Sequence, residues 1–297
     1  MSLIRAQQFG DNFRILSDTK ITDSEQILRG VETNILKVVI LRPDLCIGFA
    51  GLIGPASLGI EKMDKLIGAE EVNIDRVLDC LLERHLAAAK KTDFIVASLT
   101  PNSNLHKISE GKVERDLQNC WIGDHDAFST YQELFHQTRG FERPELSPEL
   151  AQTVNTIFRM QRAFIRLVES GLHESVGQFM IEAGTNPGVG FYYEARYIGR
   201  PGPASLHRQI EPSEEISDWS ASIGGFSTSI LVPDQAGIGA IGIHFFQGKF
   251  GALFYPIKQE KPIVITNVNE QEFITQTFER FGVRLCTQPF LADDDNA

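Results

Sequence analysis

Short apolar runs separated by turn residues dominate the first fifty positions of the chain. Residues 3–22 predict two strands around a Gly-Asp-Asn turn at 10–12, because these residues supply the backbone conformations and side-chain hydrogen bonds of a tight turn. Residues 35–50 predict a second hairpin around an Arg-Pro-Asp turn at 42–44. Runs this short, with turn residues on both sides, favour strands over helices.

Longer segments with apolar residues at three- and four-residue spacing follow these hairpins. This spacing places the apolar residues on one face of a helix. It predicts helices over residues 55–66, 74–91, 126–136 and 148–170. Between the second and third helices, the apolar runs and turns predict a meander of three strands, over residues 94–100, 105–109 and 113–122.

The texture changes after Gly171, where residues 175–258 are rich in glycine and aromatic residues and predict strands and hairpins. A last strand over 262–268 and a helix over 270–281 follow, with Gly282 as its expected C-cap. Blocks of antiparallel strands that alternate with helix pairs predict an α+β fold in which two sheets pack together under outer helices.

Charge and hydropathy narrow the classes of protein to which the chain can belong. The formal net charge is −11 and no run of five or more basic residues occurs, so we expect neither a nucleic-acid partner nor an anionic membrane surface as a partner. The first twenty residues have no signal-peptide core, and no apolar stretch approaches the roughly 18 residues that span a bilayer. These features predict a cytoplasmic protein.

Metal and redox chemistry have little support in the sequence. The four cysteines are far apart and form no CxxC pair, and no two histidines have helical ligand spacing. We therefore expect no metal site, no cofactor and reduced cysteines in the core. These cysteines are Cys46, Cys80, Cys120 and Cys286.

Four residues have the order and spacing of a known catalytic set. Ser2 becomes the first residue if Met1 is removed, Asp18 follows it by sixteen positions, and Gly51 follows Lys37 by fourteen. This pattern resembles that of proteasome β-subunits and their bacterial relatives, which are N-terminal-nucleophile hydrolases. Further similarity covers roughly residues 2–183 and 259–286, including the predicted closing helix.

The resemblance implies a fold and an activity. The fold is a four-layer αββα sandwich of two antiparallel sheets flanked by helices. The activity is that of a peptidase or amidohydrolase with Ser2 as nucleophile and its own amine as base. Lys37 then stabilises the alkoxide, Asp18 keeps Lys37 charged and oriented, and the Gly51 N–H donates to the oxyanion.

The groups that support the terminal amine in this family differ here. The family has Gly-Ser-Gly at a helix start, whereas residues 123–125 are Gly-Asp-His, so Asp124 stands in place of the serine. The family's Asp-x-x-Ser-Gly-Gly corresponds to residues 173–178, where Glu174 and Ser175 are the candidate replacements, or to the rival segment 218–225. A carboxylate at position 124 would raise the pKa of the amine and weaken it as a base.

Taken singly, these residues have simpler interpretations. Ser2 can be an exposed terminal serine, Asp18 and Lys20 an ordinary turn pair, and Lys37 a solvated lysine. Two hypotheses therefore stand. One is an active homo-oligomeric hydrolase of a peptide or amide substrate, and the other is an inactive scaffold or binding subunit of a homo-oligomeric assembly.

The resemblance also predicts how the chain divides into domains. Residues 1–183 and 259–291 form the proteasome-like domain, and residues 184–258 are a β-rich insertion that packs on it before the last helix. The polar tail at 292–297 is expected to be disordered.

Overall fold

The fold is known from a computed structural model that describes residues 2–21, 30–31, 34–67, 73–141, 143–186, 188–201, 211–214 and 225–287. The described residues form five α-helices and sixteen β-strands, and the strands make three antiparallel sheets. The predicted disordered tail and residues 218–224 of the rival motif lie outside the described ranges. None of the described helices is both long enough and apolar enough to cross a membrane.

The first sheet contains the amino-terminal hairpin. Its strands are β1 (Leu3–Phe9), β2 (Asn12–Asp18), β8 (Asn119–Gly123), β9 (Met180–Asn186) and β10 (Gly190–Tyr193). They lie in the order β10-β9-β2-β1-β8, so the predicted turn at 10–12 joins two central neighbours. Ile4 is opposite Ser17 in this hairpin, and Asp18 is opposite Met180 of β9.

The second sheet follows the chain order. Its strands are β3 (Val38–Arg42), β4 (Leu45–Gly51), β5 (Thr92–Ser98), β6 (Asn104–Ser109) and β7 (Lys112–Glu114), each paired with the next. The prediction of one strand over 113–122 is wrong. This stretch contains two strands, because β7 ends at Glu114 in the second sheet and β8 begins at Asn119 in the first. The chain turns between them, where Asp116 has a positive φ of 55° and the Leu117 N–H donates to Leu105 O.

The glycine- and aromatic-rich region forms most of a third sheet that the prediction of two sheets did not include. Its strands are β11 (Arg196–Pro201), β12 (Gly225–Pro233), β13 (Ile241–Phe245), β14 (Phe250–Tyr255), β15 (Gln259–Thr266) and β16 (Leu285–Cys286). The first five pair in sequence order, and β16 pairs with the end of β12.

The five described helices match the predicted ones within a few residues. They are α1 (Ile53–Ile67), α2 (Ile74–Ala87), α3 (His125–Gln137), α4 (Pro148–Ser170) and α5 (Glu270–Phe281). The predicted C-cap of α5 is confirmed, since Gly282 has a φ of 71° and its N–H donates to Phe278 O. At the other end of α5, Asn269 and Glu272 form a capping box.

Four apolar clusters show which faces the helices cover. Side chains of α1 and α2 share a cluster with the second sheet, those of α3 and α4 with the first sheet, and those of α5 with the third. The largest cluster joins residues of all three sheets, among them Ile4, Ile40 and Ile243. The third sheet therefore contributes to the same buried core that holds the other two.

Strand pairing does not follow the predicted domain boundaries. A boundary at 183/184 cuts through β9, and β10 pairs with β9 in the first sheet. A boundary at 258/259 separates β15 from its partner β14, and α5 packs against β14 and β16. Strand pairing thus groups β15 with the third sheet and packing groups α5 with it, while the division into domains itself stays a prediction.

Candidate active site

The carboxylate of Asp18 lies at the end of β2 and is fully buried. Its Oδ1 accepts the Leu3 N–H at 3.2 Å. Its Oδ2 accepts from the Lys37 ammonium at 2.8 Å, the Lys20 N–H at 3.1 Å and the Gly177 N–H at 3.4 Å. A carboxylate without contact to water needs such donors, because burying an uncompensated charge costs several kcal/mol.

Lys37 approaches Asp18 from the second sheet. It lies just before β3, where its carbonyl accepts the Phe49 N–H of β4 at 2.9 Å, so β4 fixes its backbone. Its side chain is 5% exposed and also donates to the Lys20 carbonyl. Two sheets thus meet at one buried ion pair, and the interpretation of Lys37 as a solvated lysine is wrong.

Burial perturbs both members of this pair. Desolvation lowers the pKa of Lys37, and the neighbouring Asp18 opposes that change. Desolvation likewise raises the pKa of Asp18, opposed by Lys37 and by the Leu3 and Gly177 N–H donors. The Lys37 ammonium therefore loses its proton more readily than that of a lysine in water.

Ser2 directly precedes β1 in the first sheet and is 3% exposed. The interpretation of Ser2 as an exposed terminal serine is therefore wrong. Its carbonyl accepts the Asp124 N–H at 2.8 Å. Gly123, which has a φ of 108°, lies so close that a Cβ there would be 1.8 Å from that carbonyl oxygen and 3.4 Å from the Ala50 Cβ. Ser2 therefore lies at the junction of β1, β8 and the end of β4.

Gly51 ends β4 directly after Ala50 and is exposed. Its φ is 109°, and a Cβ there would be 2.0 Å from the Lys91 carbonyl oxygen. Any side chain at this position would thus collide with the backbone in addition to being strained. The structure places this glycine on the strand that passes beside Ser2, at the end where α1 begins two residues later.

Of the three supporting candidates, two are in contact. The Ser175 hydroxyl donates to Asp124 Oδ2 at 2.6 Å, and Asp124 Oδ1 caps α3 by accepting the Asp126 and Ala127 N–H groups. Desolvation by burial acts to raise the pKa of Asp124, but these hydrogen bonds outweigh it, and the pKa is lowered from its ordinary value. Glu174 is exposed in the turn that precedes Ser175.

Two further residues belong to this site and were not predicted. Lys20 contributes its N–H to Asp18 and its carbonyl to Lys37, which means that the turn pair suggested by the sequence is itself part of the site. Gly177 contributes an N–H. Both act through backbone groups, which every residue carries, so side-chain chemistry gave no signal.

Across the part of the chain that the structure describes, no three His, Cys, Asp or Glu side chains group to hold a metal ion. Comparison of the sequence with protein-family models and with curated protein sequences gives no match. The assignment of function therefore rests on the geometry of the site.

Proposed function

We propose that this chain is an N-terminal-nucleophile hydrolase that uses Ser2, freed by removal of Met1, to cut a peptide or amide bond. One observation carries the proposal. The two oxygens of a fully buried Asp18 accept from the peptide that joins Ser2 to Leu3 and from the Lys37 ammonium. Residues sixteen and thirty-five positions from Ser2 thus meet next to it, as the resemblance to proteasome β-subunits requires.

The packing of helices on sheets supports a four-layer arrangement of the kind that the resemblance implies. The first and second sheets pack through a common core, α3 and α4 share a cluster with the first sheet, and α1 and α2 share one with the second. We propose that these four layers form the αββα sandwich, to which the third sheet is an addition. Assembly into a homo-oligomer and a cytoplasmic location belong to the same proposal.

The chemistry begins with the proton of the Ser2 hydroxyl. The freed α-amine of Ser2, with an ordinary pKa of about 7.7–8.0, takes that proton while the oxygen attacks the carbonyl carbon of the substrate. The Lys37 ammonium stabilises the negative charge that develops on the Ser2 oxygen, and Asp18 holds Lys37 in place. The Gly51 N–H donates to the oxyanion. The amine then returns the proton to the leaving nitrogen, and water hydrolyses the resulting ester to regenerate Ser2.

The test combines intact mass with covalent labelling. Mass spectrometry should show that Met1 is absent, and an epoxyketone, which reacts with a hydroxyl beside a free amine, should add once per chain. Ser2→Ala and Lys37→Ala should abolish labelling, whereas Ser2→Thr should retain it. Lys112→Ala, which changes an exposed lysine of β7, is the control and should label normally. Retained Met1, or equal labelling of Ser2→Ala, would refute the proposal.

A second candidate function is an inactive scaffold subunit, and Asp124 is the observation that favours it. Both of its oxygens are engaged, one by α3 and one by Ser175, where relatives have a serine. Asp124→Ser keeps a good N-cap residue and removes the negative charge beside Ser2. If the charge suppresses an otherwise complete site, labelling should rise in this variant. If neither protein is labelled although Met1 is absent, the scaffold is the better assignment.

A further inference from the structure

A cavity of about 310 Å³ lies behind the candidate active site, between α4, β9 and β11. This volume is at the lower end of the range for small-molecule sites. Four apolar side chains line it, two from α4 and one from each strand. They are Ile165, Val168, Met180 and Ile198.

One cation stands in this apolar lining. The Arg196 guanidinium donates to Glu182, a carboxylate that is 1% exposed and also accepts from the Gln161 amide at 2.9 Å on each oxygen. Glu182 thereby fixes the guanidinium plane. Among the described residues, the other N–H groups of Arg196 have no acceptor, and its side chain is 20% exposed. A guanidinium fork with free donors binds a carboxylate through two parallel hydrogen bonds.

We propose that this cavity binds a small carboxylate with an apolar chain, of the medium-chain fatty-acid class, and that binding acts on the candidate active site through residues 177–179. The carboxylate pairs with Arg196, and the chain lies on the four apolar side chains. Glu169 also lines the cavity, but it is exposed, so water screens its repulsion.

The route to the site is one short segment of backbone. Gln178 and Met180 line the cavity. The residues on either side of Gln178 face the opposite way, where the Gly177 N–H donates to Asp18 and the Phe179 N–H donates to Thr19 Oγ1 at 3.2 Å. Gln178 itself has a positive φ of 71°, an uncommon conformation for a residue with a side chain. A ligand that contacts Gln178 should therefore change the strength of two hydrogen bonds at the end of β2, from Gly177 to Asp18 and from Phe179 to Thr19.

Binding is tested with decanoate, titrated by calorimetry into the full chain and into the Ser2→Ala variant. Both should bind one decanoate, and decanol, which lacks the charge, should bind at least about tenfold more weakly. Gly199→Leu should abolish binding, because Gly199 lines the cavity and a larger side chain there would fill it. Among the described residues a Cβ at this position meets only Tyr197 Cε1, at 3.6 Å, so the backbone can accept the change. An unchanged melting temperature checks that this variant is folded.

Arg196→Lys gives a second variant that keeps the charge beside Glu182 and loses the fork. It should weaken decanoate binding by roughly tenfold, while Arg162→Lys, an exposed position on α4, should leave it unchanged. Equal affinity of wild type and Gly199→Leu, or equal affinity for decanol and decanoate, would overturn the assignment of this cavity as a carboxylate site.

The action on the active site rests on the proposed function, and it is measured separately in Ser2→Ala. Decanoate should change the hydrogen-exchange rates of the Gly177 and Phe179 amides several-fold, and should leave them unchanged when Gly199→Leu is also present. Unchanged exchange at both amides in a protein that binds decanoate would overturn the coupling. Failure of the proposed function appears instead as wild-type protein that resists the epoxyketone with or without decanoate.

Discussion

At the scale of single residues, the buried carboxylate of Asp18 should be sensitive to a small change. Asp18→Asn removes the negative charge that compensates the Lys37 ammonium, while both side chains stay buried. Breaking one side of a buried ion pair typically costs about 3–5 kcal/mol, and we expect a loss of that order in the free energy of unfolding measured with urea. Epoxyketone labelling should be lost as well, because Lys37 would no longer be held.

The control for this prediction is an ion pair of the same type in water. Glu83→Gln removes the partner of Lys62, where both side chains are exposed, and exposed pairs contribute little. The urea midpoint of this variant should match that of the wild type. If Asp18→Asn also left the urea midpoint unchanged, the Asp18–Lys37 ion pair would have no structural role, and the observation that carries the proposed function would be lost.

How far the site was predictable differs between side chains and backbone. Ser2, Asp18, Lys37 and Gly51 were singled out because their residue types and spacing match the family that the chain resembles. The burial of Ser2 and Lys37 was not, since both depend on contacts between strands far apart in the chain. The donors and acceptors from Lys20 and Gly177 were also missed, because a backbone N–H or carbonyl leaves no mark on the residue type.

At the scale of secondary-structure elements, the start of α3 depends on the charge state of Asp124. Hydrogen bonds keep the folded-state pKa of Asp124 below its ordinary value of 3.8. A depressed pKa stabilises the folded protein above the unfolded-state pKa, and that stabilisation is lost as the pH falls through the folded-state value. Asp124→Asn keeps the cap but not the charge. Urea unfolding should therefore show a gap between the two proteins at pH 6 that closes below pH 3.8.

Asp126→Asn is the control for the pH effect, since Asp126 is exposed in the same helical turn and interacts with the helix dipole without accepting the capping hydrogen bonds. A gap for Asp124→Asn that stays constant from pH 6 to pH 2.5 would show that the capping oxygens do not prefer the charged state.

The close approach of β1 and β8 depends on the absence of a side chain at Gly123. Gly123→Ala would place a Cβ on the Ser2 carbonyl, so the hydrogen bond to Asp124 must break and Ser2 must move. Gly10→Ala is the matched control, because that glycine also has a positive φ but no described residue lies within 4 Å of a Cβ added there. The control should lose about 1 kcal/mol through strain alone, while Gly123→Ala should lose more and should also lose labelling at Ser2.

Elements with one amphipathic face were predictable, and elements that depend on partners were not. The helices matched because each carries its own apolar stripe, and α5 was predicted to the residue because Gly282 marks its end. β7 and β8 were merged because their division lies in a turn at Asp116, a residue type that tolerates a positive φ without requiring it.

At the scale of the whole molecule, the main question is whether the third sheet is an appendage or part of one cooperative unit. Its strands β13 and β14 place Phe245 and Phe250 in the cluster that also holds Ile4 of β1 and Ile40 of β3. The Phe245 ring also packs against Phe179, at 5.8 Å between centroids. Sequence patterns predicted strands here but could not give their sheet, because glycine- and aromatic-rich strands pair through backbone groups that any partner satisfies.

The shared core predicts that damage in the third sheet spreads to the candidate site. Phe245→Ala should cost about 3–5 kcal/mol, and hydrogen exchange should then accelerate in β1 and β2 as much as in β13, with one urea transition. Phe246→Ala, at the next position but 39% exposed, should change neither. Faster exchange confined to β11–β16 would instead mean that the third sheet unfolds independently. In that case Phe179, and with it the Thr19 contact beside Asp18, would be held by the first two sheets alone.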